Sequence, residues 1–203
     1  MRIVKKIAMG LAAVFLCGLC FGMVQEARQK DLASQVIRLH VLAASDTEED
    51  QTNKLAVRDA VLAAAQPIVD GAKTAEEAKE LLSDALPDLA AAGETALRDA
   101  GCAYAVTATL SVDHFPTREY EDFSLPAGNY TALRIVIGEG EGHNWWCVVF
   151  PPLCMGSVTE ETAESFLTED AVKLITEDNE DYVLRFKALE LWDSLKSLLT
   201  KDA

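Results

Sequence analysis

Histidine and cysteine are scarce in this chain. It has three histidines, His40, His114 and His143, and five cysteines, of which Cys17 and Cys20 fall in an uncharged N-terminal run. The six that remain do not show the paired short spacings of a zinc site, so no metal is expected. Asp46, Glu48, Glu49 and Asp50 are acidic enough for calcium but lack the alternation and mid-loop glycine of an EF-hand. Cations are also short: 18 Lys and Arg stand against 33 Asp and Glu, a formal charge of −15. Arg2, Lys5 and Lys6 precede everything else, which leaves −15 − 3 = −18 on the rest. Such a surface repels phosphate backbones and anionic headgroups, which argues against nucleic-acid binding. There is no internal repeat and no low-complexity linker.

The glycine triplet Gly138, Gly140 and Gly142 does not make a phosphate loop. That loop needs a helix N-terminus behind it, and the segment that follows, Asn144 to Phe150, has strand composition. A hairpin loop is the expectation. His143 and Cys147 do not suggest a thiol nucleophile with its base, since residues four apart on a strand are separated by about 13 Å. Glu139 and Glu141 also fail to supply the electropositive setting of a reactive thiolate. Cys147 and Cys154 flank Pro151-Pro152, whose turn would let them form a disulfide, and two separately buried thiols are the alternative. No cofactor and no small-molecule substrate is implied. An extracytoplasmic thiol hydrolase and an envelope structural protein stand as alternatives to a partner-binding role.

One long apolar run is present. Ile7–Val24 carries no charge and follows three cations, the pattern of an export signal or membrane anchor, with the chain sent outward. No clean cleavage site follows it. Residues 25–35 are polar and read as a short stalk or first helical turn. Val36–Ala43 alternates apolar odd positions with Arg38 and His40, which predicts a strand. Ser45 with Glu48, and Thr74 with Glu77, fit capping boxes that open two helices. The first should end before Pro67, and Pro87 should break or kink the second. Gly101 is placed to terminate it. Cys102–Phe115 is a period-two strand, with His114 in its apolar phase. Tyr130–Gly138 and Trp145–Phe150 are two more strands, followed by helices near Glu169–Thr176 and Phe186–Leu199. The order predicts an α+β two-layer domain, mainly an antiparallel sheet with helices packed on one face. The other face should be uncovered. Arg38 and His40 lie on it, Arg134 needs a carboxylate or open solvent, with Asp50 or Asp59 as the candidate partner, and Trp145-Trp146 put one indole on each side. Arginines and aromatics on an open face make a protein-binding patch.

Ile37–Asp46 with Glu49–Gln51 and Lys54–Leu62, and Leu125–Gly140 with Asn144–Cys154, together resemble the stage II sporulation protein R family of endospore-forming bacteria. The likeness covers roughly Val36 to Cys154, so the chain divides into a leader over 1–24, a stalk over 25–35, a family-like domain over 36–156 and an acidic helical extension over 157–203. The resemblance implies a signalling protein without catalytic residues, made in the forespore and exported into the space between the two surrounding membranes. There it would activate a membrane-embedded aspartic protease of the mother cell, which processes a pro-sigma factor. Expected partner-binding residues are the polar and aromatic members of the matching segments: Arg38, His40, Asp46, Asp50, Lys54, Arg58, Arg134, Asn144, Trp145 and Trp146.

Overall fold

The computed structural model describes residue 10 and residues 22–24, 26–120, 123–151 and 166–176. Most of the expected leader, Cys154 and the expected helix near Phe186–Leu199 lie outside them. No helix among the described residues is long and apolar enough to cross a membrane. A helix, α1, covers 26–35. It is followed by β1 (Ile37–Leu42), α2 (Glu48–Val69), α3 (Ala75–Asp99), β2 (Val106–Phe115), β3 (Arg118–Glu119), β4 (Ser124–Leu125), β5 (Gly128–Ile137), β6 (Asn144–Phe150) and α4 (Glu169–Thr176).

The helices begin and end as their terminal residues require. Thr47, two residues beyond the expected Ser45, caps α2 by accepting the Asp50 N–H, while Ser45 Oγ instead donates to the Asp50 carboxylate at 2.5 Å. Thr74 caps α3 through the Glu77 N–H, and Glu77 accepts from the Lys73 N–H. At the far end of α3, Gly101 takes φ +80°, and the Cys102 and Gly101 N–H groups bond Leu97 O and Arg98 O. This left-handed turn is what glycine permits at low cost. Neither proline ends its helix: α2 runs through Pro67 and α3 through Pro87. Both prolines are exposed, as are Ala63 and Ser83 four residues earlier, so the carbonyls left without an N–H partner face water.

The sheet is mixed but mainly antiparallel, since two of its three strand pairings are antiparallel; what the structure corrects is the expected hairpin between β5 and β6. Its order is β2-β5-β1-β6, with β1 parallel to β5 and antiparallel to β6. Glycines 138–142 therefore do not close a hairpin. They carry the chain over the end of β1, where the Glu141 and Gly142 N–H groups bond Ala44 O and Ala43 O at 3.3 and 2.9 Å. A Cβ on Gly142 would meet the backbone of Ser45, so only glycine lets the crossing chain lie this close.

The odd residues of β1 face α2 and α3. Ile37, Leu39 and Val41 pack there with Val57, Val61, Leu82, Leu89, Leu97, Leu133 and Ile135 in the main core. Burial of each such large side chain stabilises the fold by about 1.5–3 kcal/mol. The even residues face the other way, toward a face that is covered in part rather than left wholly open as expected. Leu32 of α1, Phe123 and Leu125 of the β3–β4 hairpin, and Ala171 and Val172 of α4 pack on Phe115, Tyr130, Ala132 and Val148 to make a second core. β2 starts at Val106 rather than Cys102 and is an edge strand. His114 is exposed and bonds the Asn129 side chain, against the expectation that it is interior, because β2 outruns the helix layer near its end, where Val112 is 73% exposed.

Candidate functional site

The sheet divides the expected binding residues into two groups. Arg38, His40, Arg134 and Trp146 lie on the second face, since His40 sits between Arg134 of β5 and Trp146 of β6 in register. Asp46, Asp50, Lys54, Arg58 and Trp145 gather where the start of α2 meets the crossing loop and β6. Asn144, paired with Leu42, lies at the start of β6 on the second-face side.

Arg38 is wholly buried. Its guanidinium carbon stands 4.1 Å from the Phe115 ring centroid and 5.0 Å from that of Tyr130. Nη2 donates to the Tyr120 hydroxyl at 2.8 Å, and that hydroxyl donates to Trp146 O at 3.4 Å. Nε and Nη1 have no hydrogen-bond partner among the described residues. Burial pulls the guanidinium below its ordinary pKa, opposed by the neighbouring tyrosines. The same enclosure pushes the Tyr130 hydroxyl up to about 12. The cation is thus held by ring faces and one hydroxyl rather than by an ion pair.

His40 is stacked on Trp146, with centroids 3.9 Å apart and planes 19° from parallel. Its Nδ1–H donates to Asp113 Oδ2 at 2.9 Å, and Ser111 Oγ donates to the other carboxylate oxygen at 2.7 Å. Burial lowers the His40 pKa below its ordinary value, opposed by Asp113 and the Asn144 side chain. Neutral imidazole with its proton on Nδ1 leaves Nε2 as an acceptor, with Asn144 as a polar neighbour of the ring and no well-formed hydrogen bond to Nε2 among the described residues. Burial pushes the Asp113 carboxyl up, but hydrogen bonds from His40 and Ser111 and the charges of His40 and Arg134 together bring it below its ordinary value. Arg134 makes no ion pair among the described residues, and its Nε is buried without a partner. The carboxylate near these cations is Asp113, not Asp50 or Asp59.

The second group is a tied corner. Asp46 Oδ1 accepts the His143 backbone N–H at 2.6 Å and meets its Nδ1 at 2.5 Å. That backbone bond, then the imidazole, holds the Asp46 carboxyl below its ordinary range. Lys54 is buried, donating to Gln51 Oε1 at 2.5 Å and to His143 O at 3.0 Å, and desolvation lowers its pKa. Arg58 pairs with Asp59 and lies over the half-exposed Trp145 ring at 4.4 Å. These bonds fasten the crossing loop to the start of α2.

Cys147 is disulfide-bonded, and Cys154, its expected partner, lies outside the described residues. It therefore offers no free thiolate. Cys102 is a free thiol. Asp113, Ser111, Tyr120 and Arg118 were not among the expected site residues. Asp113 and Ser111 carried a signal, being on the polar phase of β2 as His40 is on that of β1. Tyr120 carried none, since it falls in a segment without periodicity.

No group of three His, Cys, Asp or Glu among the described residues could hold a metal ion. Fold and site define a small α+β domain that gathers arginines, a histidine and aromatics on one face of its sheet. The chain belongs to the stage II sporulation protein R family, whose family model matches residues 33–160. Stage II sporulation protein R of Bacillus subtilis (strain 168) is 32% identical over 177 residues, covering 81% of this chain and 79% of that protein. No solved structure matches. The matched residues take in both groups of the site. The protein accordingly has a role in sporulation.

Proposed function

We propose that this chain is an exported intercellular signal of endospore formation, a ligand that activates a membrane-embedded aspartic protease in the mother cell and so triggers processing of a pro-sigma factor. In this reading it leaves the forespore behind the apolar run Ile7–Val24, acts in the intermembrane space and contributes no catalytic residue. The observation that carries the reading is the union in one chain of that run, behind three cations, with membership of the sporulation family. The second face supports it, because cations and aromatics collected on a sheet suit recognition of another protein.

The test is a sporulating cell deleted for its own copy and supplied with this chain, intact or lacking residues 7–24. The intact chain should restore pro-sigma processing in the mother cell, and the shortened one should accumulate in the forespore without restoring it. Undiminished processing with the domain confined to the forespore cytoplasm would sink the proposal.

A further inference from the structure

The second face is covered over only part of its area. Around Arg38, the β3–β4 hairpin, α1 and α4 close it completely. Toward the start of β2 they do not reach: Thr107 and Thr109 are exposed, Arg134 and Val136 are half-buried, and Trp146 is partly open. Thr109 faces Arg134 across the strand pair, and Arg134 faces His40 across the next. Within this face of the four-stranded sheet, Arg38 and Arg134 stand against one carboxylate, Asp113, which already serves His40 and Ser111. Among the described residues, Arg134 Nε on the open half is buried with no acceptor; Arg38 Nε and Nη1 also lack one, but under the closed half. A buried guanidinium left short of acceptors is costly, and the group that satisfies it best is a carboxylate.

We propose that the open half of this face, built on Thr109 and Arg134 with His40 and Trp146 as its floor, is the docking site for the partner, and that it takes a side-chain carboxylate from that partner. This rests on the signalling reading above. The charge balance supports it: the rest of the molecule is strongly acidic and repels anionic proteins, so an acidic segment finds an attractive field only where arginines outnumber acids. The Trp146 ring, stacked on His40 with β1 between it and Arg134, supplies apolar surface at the margin of such a pair. The incoming carboxylate would also favour the imidazolium form of His40, whose Nε2 then becomes a donor.

The test places the carboxylate in the chain itself. Thr109→Glu, opposite Arg134 on an exposed edge strand, should satisfy the guanidinium internally and so block the partner's acid. In sporulating cells supplied with the full chain, pro-sigma processing should fall by about tenfold or more, the scale of a lost charged contact. The Tm of the purified full chain in detergent should stay level or rise, and the His40 resonance should titrate at higher pH. Thr109→Gln, of the same size without the charge, should lose far less signalling than Thr109→Glu. Arg134→Lys should retain more signalling than Arg134→Gln, and this pair decides the matter if Thr109→Glu does not fold. Normal signalling by folded Thr109→Glu overturns the inference while leaving the signalling reading intact. Failure of the wild-type chain itself would instead overturn the reading on which it rests. Recovery of Thr109→Glu signalling on deletion of residues 177–203 would identify the chain's own acidic tail as the occupant, and that also overturns it.

Discussion

Arg38 should be replaceable by methionine at almost no cost in stability. Its guanidinium has one hydrogen bond, to Tyr120, and lies over two aromatic rings. A hydrogen bond to a charged group contributes about 1.5–3 kcal/mol, and a desolvated cation over a ring about 2 kcal/mol. Against this stands the desolvation of an ion with no carboxylate partner among the described residues, several kcal/mol after relaxation. The terms cancel to within about 1 kcal/mol, and methionine keeps the volume between Phe115 and Tyr130 filled. Arg38→Ala does not: it opens a cavity among fully buried rings and should cost about 2–5 kcal/mol. In thermal denaturation of the purified chain, Arg38→Met should move Tm by no more than about 4 °C, and Arg38→Ala should lower it by roughly 4–20 °C. Equal damage from both would refute the reasoning, since the charge itself would then be stabilising the fold.

Further outcomes are expected from the same geometry. The His40 pKa is lowered in the folded state, so the unfolded chain binds more protons near the ordinary value of 6.5, and stability falls as pH drops through it. The slope cannot exceed about 1.4 kcal/mol per pH unit for one proton. A pH series of denaturation midpoints should show it in the wild type, and His40→Gln should flatten it. Gly142→Ala drives a Cβ into the Ser45 backbone. It should cost about 1–3 kcal/mol in urea unfolding. Trp145→Ala removes a partly exposed ring under Arg58. It should cost only about 0.5–1 kcal/mol for that contact, while pro-sigma processing falls further than stability does. Reduction of the Cys147 disulfide should lower stability by about 2–5 kcal/mol, measured as the Tm difference with and without a thiol reductant.

Residues that report their own backbone were legible in the sequence. Thr74, Gly101 and the acids at Glu169 mark helix ends through local hydrogen bonds and dipoles, and their elements stand where those signals put them. The alternation in β1 likewise identified which side chains share a face. What alternation cannot state is which strand lies beside which. The six residues between β5 and β6 allow a hairpin or a passage over another strand, and only the burial of all six residues of β1 requires a neighbour on each side. Pro67 does not end α2, and Pro87 does not break α3, because the cost of a helical proline depends on exposure, a tertiary quantity. Asp113 escaped notice for a related reason: a carboxylate on the wet phase of an edge strand looks solvated until β5 and β1 bring His40 within 2.9 Å.

That topology also explains how one strand can serve both cores. β1 is central, and its odd side chains complete an apolar layer that makes no use of charge. Its even side chains are therefore held at fixed positions by a backbone that is bonded on both edges, whatever their own chemistry costs. Arg38 and His40 are tolerated there because the helix-side layer supplies the stability, and the rings of Phe115, Tyr130 and Trp146 hold the two groups in single orientations. A rigid donor array loses little entropy when an acceptor arrives, so affinity comes from preorganisation rather than from area. By the same logic, substitutions in the helix-side core such as Leu89→Ala should reduce signalling only in proportion to the folded fraction. Thr109→Glu should reduce it with the folded fraction unchanged.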